Sequence, residues 1–152
     1  MTVIDLPDET ATAALAARVA RCARAGDVIA LRGDLGAGKT AFARAFIHAL
    51  GGNEEVPSPT FTVLQLYELP AATVWHFDLY RLEAPDEAWE LGIEEAASGI
   101  ALIEWPERLG PLLPERRLDI TLLFGEGATS RRAVLRSGPD WTARLAGIAA
   151  DA

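Results

Sequence analysis

The chain has 152 residues, half of them hydrophobic and 24% charged, with a formal net charge of −8. That length suits one domain with a core of its own, spanning 1–152, and the scattered, outnumbered basic residues exclude tight binding to a nucleic-acid backbone by this chain alone. No apolar run approaches the roughly 18 residues of a membrane span, the acidic N-terminus lacks a secretory signal pattern, and the single cysteine, Cys22, suits a reducing cytoplasm.

In chain order, Pro7-Asp8-Glu9-Thr10 reads as a helix start with acids in the first turn, and the helix runs to about Arg24. Leu15, Val19, Cys22 and Ala23 share its apolar face, with Cys22 read as a small buried residue. Asp8-Glu9-Thr10 serve as a cap or, on the sharper reading, lie near a nucleotide base. Gly26-Asp27 then turns the chain into Val28-Ile29-Ala30-Leu31, a short β-branched run with the look of a buried parallel strand. The stretch Gly33-Asp34-Leu35-Gly36-Ala37-Gly38-Lys39-Thr40 follows, and it fits G-x-x-x-x-G-K-[ST] at every fixed position. A helix from Ala41 to Leu50, ended by Gly51-Gly52, comes next.

Strand, glycine loop and helix in that order are the context in which this motif binds phosphate. The glycines let successive N–H groups turn inward, and the positive end of the following helix adds to them. Lys39 is placed to reach the β- and γ-phosphates and Thr40 to hold Mg²⁺. Lys39 is the only lysine; the other 13 basic residues are arginine, which does not replace the compact ammonium of such a loop. The backbone from Leu35 through Gly36, Ala37, Gly38, Lys39 and Thr40 to Ala41 is the expected nucleotide cradle.

Beyond it, Val56-Pro57-Ser58-Pro59-Thr60-Phe61-Thr62 cannot be helical, and its hydroxyls either bond locally or offer Thr60 or Thr62 to a metal and γ-phosphate. Phe61 to Leu66 and Thr73 to Asp78 read as strands joined by Tyr67 to Ala72. Alternation in the second puts Trp75 and Phe77 on one face and His76 and Asp78 on the other. His76 reads as a packed or surface imidazole, Asp78 as an acid at a strand tip, and Arg81 as a partner for Asp78 or Glu83. After a short helix from Pro85 to Leu91, Gly99 to Glu104 forms a buried strand ending in a carboxylate, the arrangement that holds Mg²⁺ beside a phosphate loop. Trp105 is either core or a lid over that site. Leu118 to Phe124 and Arg131 to Arg136 read as antiparallel strands, with Arg131 and Arg132 serving solubility at an edge more than reaching a phosphate. A last helix runs from Pro139 to about Ile148.

The fold expected is α/β, a P-loop NTPase-like three-layer α/β/α domain with a mixed, largely parallel central sheet. Guanine-specific GTPases use an Asn-Lys-x-Asp segment; here the one asparagine is Asn53 and no second lysine exists, so ATP is the expected nucleotide. A small-molecule kinase and a binding module whose shape ATP merely sets are the alternatives.

Four motifs in sequence, residues 33–40, Ser58-Pro59-Thr60-Phe61-Thr62, His76-Phe77-Asp78-Leu79-Tyr80-Arg81-Leu82 and Ile103-Glu104-Trp105-Pro106, resemble the TsaE family, formerly YjeE. The resemblance implies an ATPase of tRNA threonylcarbamoyladenosine (t6A) synthesis that binds ATP and Mg²⁺ and works with TsaB and TsaD, the partners holding the tRNA. It also implies roles. Lys39, Asp78 and Glu104 are catalytic, and Thr40 with Glu104 positions Mg²⁺, the Asp78 and Glu104 roles being interchangeable at this stage. Thr60 or Thr62 senses the γ-phosphate, and Trp105 and Thr10 lie by the nucleotide.

Overall fold

The computed structural model describes residues 1–52 and 63–150. Its elements are β1 (Thr2–Leu6), α1 (Glu9–Cys22), β2 (Val28–Arg32), α2 (Lys39–Ala49), β3 (Leu64–Glu68), β4 (Thr73–Asp78), α3 (Glu87–Glu90), β5 (Ile100–Glu104), β6 (Leu118–Phe124), β7 (Arg131–Ser137) and α4 (Pro139–Ala150). Two 3₁₀ segments, Glu95–Ser98 and Pro106–Leu112, flank β5.

All seven strands join one sheet in the order β1-β7-β6-β2-β5-β4-β3. The four central strands are parallel: β2 pairs with β5 and β6, and β4 with β5. The outer pairings β3–β4, β6–β7 and β1–β7 are antiparallel. Parallel strands are covered on both faces, which is why β2 and β5 read as unbroken apolar runs. Ile100 and Leu102 pack toward α1, α2 and α4 with Leu15, Phe42, Phe46 and Trp141. Ala101 and Ile103 turn the other way, to Phe77, Leu79, Leu109 and the short helical segments. The expected mixed three-layer α/β/α arrangement is thus present.

Several boundaries differ from expectation. The N-terminal residues, left unassigned by the sequence pattern as an acidic start, form a strand: Ile4 and Leu6 are buried while Val3 and Asp5 face outward. Because β1 pairs along β7, β7 lies inside the sheet, and the solubility-at-an-edge reading of Arg131 and Arg132 is overturned. Helix α1 stops at Cys22, two residues before Arg24, and buries Thr12, Leu15, Ala16, Val19 and Ala20. Cys22 is only half-buried at its end. Strand β3 runs on through Tyr67 and Glu68, which shortens the expected connection to Leu69–Ala72, where the Leu69 N–H bonds the Ala72 carbonyl at 3.3 Å.

Candidate functional site

The loop from β2 to α2 has the geometry its glycines foretell. Gly38 sits at φ +109° as the residue preceding α2, and no side chain caps that helix. Among the described residues no side chain is seen to bond its first-turn N–H groups, and the helix dipole adds positive potential there. Gly33 has φ +147°, and a Cβ there would lie 2.7 Å from the Leu122 carbonyl oxygen, so any larger residue displaces β6 or the loop. Arg131 fixes the loop from the other side, its Nε donating to the Ala37 carbonyl at 3.0 Å and its Nη2 to the Gly36 carbonyl at 3.2 Å. No local pattern signals this clamp, because it depends on β7 being an inner strand whose first residue faces the loop.

Beside the loop, β4 and β5 end together, with Asp78 opposite Glu104 in the parallel register. Both carboxyls are buried, at 8% and 2% exposure. The Thr40 hydroxyl donates to Glu104 Oε1 at 3.1 Å, and His76 Nε2 lies 2.7 Å from Glu104 Oε2. The alternation along β4 explains the meeting: Val74, His76 and Asp78 face α2, Trp75 and Phe77 the opposite layer. Asp78 Oδ1 accepts the Tyr80 backbone N–H at 3.0 Å. Burial holds the Asp78 carboxyl above the ordinary carboxylate range; the Tyr80 N–H pulls it down and the Glu104 charge pushes it further up.

Lys39 is equally withdrawn from water, at 5% exposure. Its ammonium donates to the Gly33 carbonyl and lies over the Trp105 ring, 3.4 Å from the centroid. Burial lowers its pKa below the usual lysine value, against the opposing pull of Glu104, Glu107, Asp78 and Asp34. Trp105 takes φ +60° and ψ +50°, a left-handed conformation that non-glycine residues adopt at some cost. The bend turns its indole back over Lys39 and within 5.0 Å of the Tyr80 ring, so Trp105 is a wall of the site.

These side chains share one cavity of about 600 Å³, lined by every expected residue from Leu35 to Ala41 and by Asp78, Glu104 and Trp105. Thr10 does not line it: that residue is exposed, whereas Glu9 and Thr12, on the next turn of the same face, do. Asp8 is the helix cap, accepting the Ala11 N–H at 2.8 Å. Ser58, Thr60 and Thr62 lie outside the described residues. Tyr80, Arg81, Thr129 and Arg131 also line the cavity; of these, the sequence suggested only Arg131 as a group able to reach a phosphate, and ranked that reading second. No hydrogen bond or ion pair joins Arg81 to Asp78 or Glu83 among the described residues.

The donors at the strand ends suit a hard divalent cation, since Thr40, Glu104 and Asp78 all offer oxygen. Among the described residues there is no group of three or more His, Cys, Asp and Glu side chains that would hold a metal unaided. Also among the described residues, no helix is long and apolar enough to cross a membrane.

A glycine loop between a central parallel strand and an uncapped helix, with two strand-end carboxylates alongside, defines an α/β protein of the phosphate-loop type. The crystal structure of YdiB from Bacillus subtilis superposes with a TM-score of 0.83 at 28% identity, over 99% of this chain and 95% of that one. The chain belongs to the family of threonylcarbamoyl adenosine biosynthesis protein TsaE, whose family model matches residues 6–133. It is 44% identical over 119 residues to the tRNA threonylcarbamoyladenosine biosynthesis protein TsaE of Rickettsia felis, covering 77% of this chain and 70% of the relative. The protein of the same description from Bacillus subtilis is 42% identical over 118 residues, covering 76% and 72%.

Proposed function

We propose that this protein binds Mg-ATP, hydrolyses it, and through that turnover supports t6A modification of tRNA together with TsaB and TsaD. The observation that carries the reading is the convergence, in one cavity, of an uncapped helix N-terminus, a buried lysine and a carboxylate already bonded to the loop threonine. Family membership supplies the tRNA side of the proposal.

Each side chain has a role its position supports. The loop N–H groups and Lys39 neutralise the β- and γ-phosphates, and Arg131 keeps the loop's carbonyls turned away from them. Thr40 and Glu104 hold Mg²⁺; their contact favours Glu104 for the metal and leaves Asp78 to orient the attacking water. Magnesium, when bound, draws off charge that develops on the phosphate oxygens. Trp105 and Tyr80 wall off one side of the cavity, while Glu9, Thr12 and Thr129 lie on its lining where the rest of the nucleotide can extend. Phosphoryl transfer depends mainly on positioning and charge, so such a site needs no covalent intermediate on the protein. The absence of an Asn-Lys-x-Asp segment keeps ATP ahead of GTP.

Free phosphate release from Mg-ATP, with and without TsaB, TsaD and tRNA, tests the proposal. Stimulation by the partners that disappears in Lys39→Ala supports it. Phosphate transferred to a small acceptor instead of released would make the protein a kinase.

A further inference from the structure

His76 has no part in the hydrolysis just described, yet it is buried at 5% exposure on β4, two residues before Asp78 and on the same face. Its ring nitrogen Nε2 lies 2.7 Å from Glu104 Oε2. The other Glu104 oxygen, Oε1, accepts the Thr40 hydroxyl at 3.1 Å. Glu104 is itself 2% exposed, and its oxygen Oε2, turned toward buried His76, depends on a donor from the protein. The two donors hold opposite ends of one carboxylate: Thr40 from the loop, His76 from inside the sheet. A glutamate has three rotatable side-chain bonds, and one donor alone leaves the carboxylate plane free to swing. Two donors on two elements fix it.

Resting on the proposed Mg-ATP reading, we propose that His76 is a positioning residue: its N–H, donated to Glu104 Oε2, keeps Oε1 turned toward Thr40, where the divalent cation arrives with the nucleotide. The parallel register builds this in. Asp78 stands opposite Glu104, so the residue two places earlier on the same face of β4 is the nearest one able to reach the inner oxygen. Partners of this kind, hydrogen-bonded to a metal ligand, are typically worth about 10- to 100-fold in metal affinity. An imidazole that only filled space would leave metal dependence unchanged.

The test is ADP affinity measured over a series of free Mg²⁺ concentrations, and in EDTA, for the unaltered protein and for His76→Leu, His76→Gln and His76→Asn. Thermal melts establish that each is folded. In EDTA, all should bind ADP within about twofold of one another, because His76 does not touch the phosphate cradle. The Mg²⁺ needed for half of the affinity gain should rise about tenfold or more in His76→Leu. His76→Gln, whose amide reaches as far as Nε2, should restore most of it, while the shorter His76→Asn should not. If His76→Leu does not fold, the contrast between Gln and Asn decides. Equal Mg²⁺ dependence in the unaltered protein and all folded variants overturns the inference while leaving the nucleotide reading intact. No Mg²⁺ effect on ADP binding in the unaltered protein overturns both.

Discussion

Lys39 and Asp78 are held in states that folding alone would not choose. A lysine whose folded pKa is lowered adds stability only above its free value of 10.5, and that stability is lost as pH falls through the folded value. At neutral pH the shift therefore counts against the nucleotide-free protein. A carboxyl whose folded pKa is raised adds stability below 3.8, lost as pH rises through the folded value, so the Asp78 shift also counts against the nucleotide-free protein above that value. Both point to sites shaped for a ligand more than for the fold. Lys39→Met is expected to melt no lower than the unaltered protein at pH 7.5 and to lose the melting shift that ADP gives. Asp78→Asn is expected to melt no lower either and to bind ATP within about threefold, while slowing phosphate release about 100-fold or more, as loss of a group acting on the attacking water does. A Lys39→Met protein that ADP still stabilises fully would contradict the role given to Lys39.

At the scale of elements, the phosphate loop is clamped between its own glycines and a side chain from β7. Arg131 makes two hydrogen bonds to loop carbonyls, whereas its neighbour Arg132, on the opposite face, pairs with exposed Asp5 at 2.9 Å. Arg131→Ala should weaken ADP binding several-fold and Arg132→Ala should leave it unchanged, as isothermal titration would show; surface ion pairs of the second kind contribute roughly 0–1 kcal/mol. Gly33→Ala should lower both stability and nucleotide affinity, since its Cβ has no room beside Leu122. The loop itself was legible because its spelling, its strand and its helix are contiguous in sequence. The clamp was not. It follows from β1, a five-residue strand with only Ile4 and Leu6 facing inward and an aspartate among the rest, whose place is set by a partner near the far end of the chain. The same applies to His76. Period-two alternation put it on the face of Asp78, but that β4 lies beside β5, and so brings His76 to Glu104, is a fact of strand order that no local pattern carries. Thr10 differs from its neighbours for a local reason: the 100° step of the helix turns it away from the cavity that Glu9 and Thr12 line.

The whole molecule sets the loop, the two acids and the metal donors at one end of a parallel sheet because the three strands that carry them, β2, β5 and β4, are neighbours running the same way. The core beneath is continuous with the site: Phe42 and Phe46, fully buried on α2, anchor the helix whose first turn faces the cavity. Phe42→Ala should destabilise the protein by about 3–5 kcal/mol. A net charge of −8 opposes any direct grip on tRNA, so filter binding at physiological salt should show no retention of tRNA by this chain alone and retention only with the proposed partners. The central claim is that the loop site turns over ATP in the service of the modifying assembly. Its most direct test is the rate of free phosphate release from Mg-ATP by the unaltered and Lys39→Ala proteins, each alone and with TsaB, TsaD and tRNA. Slow release by the unaltered protein alone, marked stimulation by the full mixture and neither in Lys39→Ala are the expected results; stimulated release that survives in Lys39→Ala, or none in the unaltered protein, would overturn the proposed turnover.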